Sequence, residues 1–491
     1  MSANRFARFL HRHRVELILF FTFWLSFSYF YHFRNGWNSN SRYDLTCAIV
    51  ERGTLSIDAY HEAVILNTGD KAQFNGHFYS DKAPALSFLA VPAYAIIRPL
   101  VHNSDTNKKT VYTYWLTIIF TVSLLAAAAA VLFYKMLRIF GATNGEAILL
   151  TFLLMYGTNV GGYTSLFFPY LPAIASLLGA YVLLLRARQS EQEIGVWRAL
   201  AIGFLISMAG FLEFTFGLAG AVLMLLAWTT MRPRMKFLFT ILGAVPPVVA
   251  LMAYNWTLFH ALTLPYQYEF DPLFRQQMQR GFMGIAQFQP AVLWFITLHP
   301  FKGLFFYSPF LLAFVAGSYW VRRLGPWGAD LLAAWAIVTG YLLFNSSYYM
   351  WWGGWSMGSR HLVAMIPFMF LPIVALMHRY WALAALVVVL GIIAVLLNFP
   401  AIAIDPQIPA RYSNEALFHP QVTDQLQSVW LRDILPAFYK HGQVAINPLF
   451  NFERMEKFMQ GELSPWIGRL SLVPLYMIWI VGLASAWRIK D

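Results

Sequence analysis

The chain of 491 residues contains one cysteine, Cys47, so no internal disulfide can form and cysteine usage leaves the redox compartment unmarked. Charge is scarce too: 12% of residues are Asp, Glu, Lys or Arg, against about 25% in ordinary soluble domains. With 59% hydrophobic residues, that scarcity excludes a large soluble core and indicates an integral membrane protein. Internal repeats and low-complexity tracts are absent, which argues against a transporter built from matching halves. The first polar loop has no Asp-x-Asp pair, so no essential metal is expected there. After the N-terminal apolar run no small-residue cleavage site follows, since Tyr31-His32-Phe33-Arg34-Asn35 comes next. That run is therefore expected to be a retained anchor and not a signal peptide.

What the chain has in abundance is apolar runs of about 20 residues, each long enough to cross a hydrocarbon layer roughly 30 Å thick. Twelve candidate spans fall near 15–33, 111–134, 146–163, 169–185, 197–213, 215–230, 237–258, 303–321, 327–345, 362–377, 381–399 and 467–487. The net charge of +12 is not gathered into a patch for nucleic acid, and no nucleic-acid partner is expected. Instead the basic residues punctuate span ends: Arg5, Arg8, Arg12 and Arg14; Lys135 and Arg138; Arg186, Arg188 and Arg198; Arg232, Arg234 and Lys236; Arg322 and Arg323; Arg379; Arg488 and Lys490. The bias of Lys and Arg toward cytoplasmic loops predicts that these clusters, and both termini, are cytoplasmic.

Residues 84–101 are apolar enough to cross, yet counting them would invert every later cluster. Pro84, Pro92 and Pro99 disfavour a straight span, so this segment is predicted to lie in the outer interface or dip in without crossing. The segments 34–110, 259–302, 346–361 and 400–466 then face outward. The expected organisation is a transmembrane module over 1–399, a small extracytoplasmic helical segment over 400–466, and a last span with its tail over 467–491.

The first outer loop carries the chemistry. Ser41 to Arg52 reads as a short helix capped by Asn40 or Ser41 and ended by Gly53. Leu45, Ala48 and Ile49 supply a stripe expected to face the bilayer, with Asp44 and Glu51 on another face toward an outer cavity. Asn67-Thr68-Gly69-Asp70, followed by Lys71, reads as a turn, and Asn75-Gly76 as another. Asp81-Lys82 precedes the interfacial helix; Lys82 can hold a phosphate as a point charge, and Asp81 can be a base or orient Lys82. As a bare pair, Asp-Lys is more often structural. Glu213 ends a span, where an unpaired carboxylate is costly; it either lines a cavity or sits in a short outer turn. Tyr348, Tyr349, Trp351, Trp352 and Trp355 gather before Arg360 and His361, as an interfacial aromatic belt or as sugar-stacking rings. His77 and His361 are expected to be polar cavity or interface residues and not metal ligands.

This order (basic N-terminus, one span, Asn40-Ser41-Arg42-Tyr43 opening an outer helix, then Asp81-Lys82-Ala83-Pro84 leading into a non-crossing apolar helix) resembles the GT-C integral-membrane glycosyltransferases. It is similar to the protein O-mannosyltransferases and the lipid A aminoarabinose transferases, which have a Glu/Asp-Lys-Pro-Pro-like sequence at the exit of the first outer helix. The motif likeness covers about 39–98. Tyr266-Gln267-Tyr268-Glu269, Phe306-Tyr307-Ser308-Pro309 and Trp352-Gly353-Gly354-Trp355-Ser356-Met357-Gly358-Ser359-Arg360-His361 also look like bacterial members.

The resemblance implies an all-α polytopic bundle of about twelve spans in a bacterial inner membrane, working with membrane lipid. Its donor would be a polyprenyl-phosphate-linked sugar, transferred with inversion to an acceptor that the sequence does not specify, without a cofactor. Ser39-Asn40 stands where the family's catalytic aspartate would fall, so Asp44 is the expected substitute, with Asp58 and Asp81 in reserve. Arg42, Lys71, Lys82 and Arg360 are the expected phosphate and donor contacts, and Tyr43, Glu213, Trp355 and His361 the expected cavity lining. The alternatives are a non-catalytic relative of the same fold and a lipid or sugar transporter or flippase.

Overall fold

A computed structural model describes residues 11–32, 36–102, 105–189, 194–323, 325–418, 420, 426–445 and 465–489. Arg5, Arg8, Lys490 and the stretch 446–464 of the second polar segment lie outside the described residues. The described chain is predominantly helical with one β-hairpin. In order come α1 (Arg14–Phe27), α2 (Trp37–Arg52), β1 (Lys71–Phe74), β2 (His77–Ser80), α3 (Ala85–Leu100), α4 (Thr106–Ile139), α5 (Asn144–Tyr156), α6 (Tyr170–Gln189), α7 (Val196–Leu212), α8 (Gly217–Thr230) and α9 (Lys236–Phe259). Short helical turns occupy 265–323. Then follow α10 (Gly328–Ser347), α11 (Arg360–Met377), α12 (Trp381–Ile404) and α13 (Gly468–Trp487).

Seven of these helices, α4, α6 and α9 to α13, are long and apolar enough to cross a membrane. The other five expected spans are shorter or broken. Within the described residues α1, α5 and α8 have 14, 13 and 14 residues and α7 has 17. The run 303–321 is interrupted at Ser308, whose backbone leaves the helical region, and Pro309 follows without an N–H to continue the ladder. Among the long helices α6 is apolar all round and 78% buried, the mark of a helix at the centre of a bundle. α9 and α13 are only 22% and 17% buried, so their apolar faces are left for lipid. One wide turn at Ile119–Ser123 loosens α4, and Trp24 Nε1 of α1 donates to the Ile119 carbonyl at 2.9 Å.

α2 departs from expectation. It begins at Trp37, with Gly36 before it and no side-chain cap, while Gly53 ends it in the left-handed conformation as the sequence implied. Its residues from Ser39 to Ala48 are all buried, and Leu45 and Ala48 pack inside the protein rather than against the bilayer. The helix is a plug in the bundle mouth. After it Asn75 and Gly76, both at positive φ, make the tight hairpin turn that pairs Lys71 with Ser80 and Phe74 with His77.

Helix polarity sorts the charges. Glu16 at the start of α1 meets Lys135 near the end of α4 at 3.5 Å. Glu146 at the start of α5 meets His378 after α11 at 2.9 Å. Arg188 near the end of α6 pairs with Asp330 at the start of α10, where Tyr181 also donates to Asp330 at 2.8 Å. Clusters expected to share one side of the membrane therefore gather at one end of the bundle, and α2 and the hairpin sit at the other.

The closest helix crossing is α7 on α9. A Cβ on Gly203 would stand 1.8 Å from the Thr240 carbonyl oxygen, and one on Gly243 2.0 Å from that of Leu200. Small residues let backbones approach where lipid gives no hydrophobic drive. Gly203→Leu and Gly243→Val are expected to destabilise the protein by about 1–3 kcal/mol each, as overpacking does. Thermal unfolding in detergent checks this, and an unchanged midpoint for both would refute the close crossing.

Candidate functional site

At the α2 end the bundle encloses a cavity of about 330 Å³. Its polar lining comes from five places in the sequence: Asn38 and Arg42 on α2, Asp70, Asp81 and Lys82 beside the hairpin, Glu213 after α7, Glu269 in the 265–270 turn, and Arg360 with His361 opening α11. Tyr170, Tyr266, Tyr348 and Tyr349 add hydroxyl-bearing rings, and Phe214, Leu264, Phe274, Met278, Phe282, Met283 and Phe344 make an apolar wall. The cavity is therefore amphipathic, lined by charged and by apolar side chains.

The hairpin register sets the acidic side. Because Lys71 pairs with Ser80, Asp70 and Asp81 flank the same end of the ladder. Lys82 Nζ reaches both, at 3.0 Å from Asp70 Oδ2 and 2.5 Å from Asp81 Oδ2. Asp81 Oδ1 accepts from Ser41 at 3.4 Å, and Ser41 also meets Ser80 at 2.8 Å. Glu269 arrives by a bridge between its backbone and Ala72, fixed further by Phe270 N–H to the Lys71 carbonyl at 2.9 Å. Burial works against the Lys82 ammonium, but Asp70 and Asp81 outweigh it and hold its pKa well above the usual lysine range. Burial raises Asp81 above the ordinary carboxylate range, with Lys82 pulling the other way. Glu269 is pushed up much further by burial and by Asp81 beside it. Burial therefore disfavours charge on both carboxyls, and Lys82 opposes it at each.

Arg42 donates to Glu213 Oε2 at 2.9 Å and to the Asn38 side chain one turn earlier. Both ends of the pair are buried or nearly so. Arg360 differs from the other two cations. It is partly buried and lies 6.0 Å from the Phe168 ring, its Nε has no hydrogen-bond partner, and among the described residues no carboxylate pairs with it. Gly353, at φ +72°, has to be glycine: a Cβ there would stand 2.7 Å from Arg360 Cγ.

The sequence-derived candidates separate cleanly. Arg42, Asp81, Lys82, Glu213, Arg360 and His361 line the cavity; Asp44, Asp58, Lys71, Tyr43 and Trp355 do not. Asp44, expected to be the base, is buried with neither carboxylate oxygen hydrogen-bonded, and burial raises its pKa well above normal against a weaker pull from Lys71. Asp58 is spent on the hairpin, accepting from Phe78 N at 2.6 Å and meeting His77 at 2.7 Å. Lys71 lies 2.8 Å from His61 Nδ1 and over the Phe78 and Phe270 rings. Tyr43 packs edge-on against Tyr94, Tyr114 and Phe167, and Trp355 is 56% exposed outside the cavity.

Sequence reasoning missed Asp70 and Glu269 as site residues. Each lay inside a noted segment, but only pairing across the hairpin reveals them. No group of three or more His, Cys, Asp or Glu able to hold a metal occurs among the described residues. Comparison with protein-family models, curated proteins and solved structures found no match, so the chemistry is argued from this geometry.

Removing one member of a buried ion pair leaves an uncompensated charge, which costs about 3–5 kcal/mol. Glu213→Gln is accordingly expected to destabilise by about 3 kcal/mol, and Arg42→Met on top of Glu213→Gln to recover part of it. A double-mutant cycle on unfolding free energies checks this. Additive losses would mean that the two side chains do not interact.

Proposed function

We propose that this chain is an inverting GT-C-type glycosyltransferase that moves a sugar from a polyprenyl phosphate to an acceptor at the outer face of a bacterial inner membrane. In this reading the shorter helices complete a set of twelve spans and both termini are cytoplasmic. The observation that carries it is the cavity's division into an apolar wall, a cation without a carboxylate partner, and a carboxylate held by a lysine. An isoprenoid phosphate has matching parts: a branched hydrocarbon chain and an anionic head.

The reaction follows from those parts. The acceptor hydroxyl attacks the anomeric carbon, a C–O bond forms there, and the bond from that carbon to the phosphate oxygen breaks on the opposite face. Asp81 takes the hydroxyl proton, which is the work of a general base within hydrogen-bond reach. Polyprenyl phosphate leaves with the bonding electrons, and Arg360 meets its growing charge with a bidentate fork suited to phosphate oxygens. Lys82, locked between Asp70 and Asp81, serves the base by keeping it ionised. Tyrosine rings around the head side give the sugar hydroxyls partners and flat faces.

The test is release of polyprenyl phosphate by purified protein from a panel of polyprenyl-phosphate sugars. Asp81→Asn is expected to lower the rate by about 10²-fold or more, the contribution typical of a general base, whereas Asp44→Asn leaves it within about threefold. No turnover from any donor, with lipid still bound by folded protein, would favour the non-catalytic relative. Loss on Asp44→Asn with Asp81→Asn unaffected would overturn the choice of base.

A further inference from the structure

Behind the cavity lies a lysine that the proposed reaction does not use. Lys302 is 3% exposed, and its ammonium is held wholly by oxygens of one turn: Ser356 O at 2.6 Å, Ser356 Oγ at 2.9 Å and Gly354 O at 3.5 Å. The Lys302 carbonyl accepts in return from Ser359 Oγ at 3.1 Å, and among the described residues no carboxylate pairs with it. The clasped turn, 353–359, runs directly into Arg360. Its other supports are weaker or neutral: Asn159 Nδ2 to Ser359 O at 3.3 Å, Tyr163 OH to Met357 O at 3.1 Å and Ser356 N to Ile408 O at 3.1 Å.

We infer that Lys302 is the positioning residue of the anion site, an ammonium that ties the 354–356 oxygens together and so fixes the turn that presents Arg360. This rests on reading Arg360 as the anion-binding group. A buried lysine without a counter-ion is otherwise hard to justify, since an isolated ammonium is costly to bury. Burial, and then the Arg360 guanidinium, push its pKa down to about 7. The charged and titratable groups that act on it are Arg360 and His361 at the start of α11, and Tyr307 lines the same small pocket. An anion bound at Arg360 favours the charged form of Lys302, so by linkage anion affinity falls as pH rises through about 7.

The experiment measures binding of a polyprenyl phosphodiester, whose single ionisation does not titrate in this range, to detergent-purified protein at pH 6 and pH 8.5. Wild type is expected to bind about fivefold more weakly at the higher pH, a typical coupling. Lys302→Met is expected to bind about tenfold more weakly than wild type at pH 6, with the pH dependence gone, which a histidine origin would not produce. Arg360→Gln is expected to lose binding. If folded Lys302→Met matches wild type at both pH values, the inference is overturned; if Arg360→Gln binds normally, the anion-site reading itself fails, whatever Lys302 does. Should Lys302→Met not fold, Lys302→Ala with added propylammonium replaces it, restored affinity supporting the inference and none overturning it. If neither variant folds, Lys302→Arg decides, since a guanidinium keeps its charge over this range: loss of the pH dependence supports the inference and its retention overturns it.

Discussion

Charge placed in an apolar enclosure has to be matched, and that requirement organises the mouth of this bundle. An unpaired ion taken from water costs several kcal/mol even after the protein relaxes. Arg42 meets Glu213, and Lys82 meets Asp70 and Asp81. The Arg42–Glu213 pair docks the first polar loop on the helices, and the Lys82–Asp70 pair closes the open end of the hairpin. Among the described residues, Arg360 at the cavity wall has no carboxylate paired with it. In the proposed function, an anion in the amphipathic space completes this third cation.

Backbone geometry makes the matching possible. The antiparallel register puts Asp70 and Asp81 at one end of the ladder, close enough for one ammonium to bridge. The bridge from Ala72 to Glu269 adds a third carboxyl from a loop beyond α9. Gly353 and the clasped turn after it do the same for Arg360, trading side-chain volume for close approach. In both places the rigid part is the backbone ladder or turn, and the reactive groups sit one residue beyond it.

Much of this was legible in the residues themselves. Apolar runs located the helices, Gly53 and Asn75-Gly76 marked a helix end and a turn, and Arg42, Asp81, Lys82, Glu213 and Arg360 stood out as charges in a chain with few. The faces of α2 were not legible. An apolar stripe reads the same whether it meets lipid or protein, and α2 is buried on every side from Ser39 to Ala48. The break inside 303–321 was not legible either, because hydropathy sums over Ser308-Pro309 without registering where the helix is interrupted. Glu269 and Lys302 gave no local signal, since their importance lies in what the fold sets against them.

The contrast between Asp44 and Asp81 shows why position in a motif is a weaker guide than local solvation. Asp44 sits in the helix where the resemblance would look for a base, yet no donor reaches either oxygen. Ionising it there would place a charge in an apolar setting with only a weaker pull from Lys71, so burial favours the neutral carboxyl, which is a poor base for an acceptor hydroxyl. Asp81 is just as buried, but Lys82 and Ser41 solvate its anion in place of water. In the proposed reaction this separates the two cations by task. Lys82 is committed to the base and has little charge left for phosphate, so the leaving group falls to Arg360, the one whose field is not already cancelled.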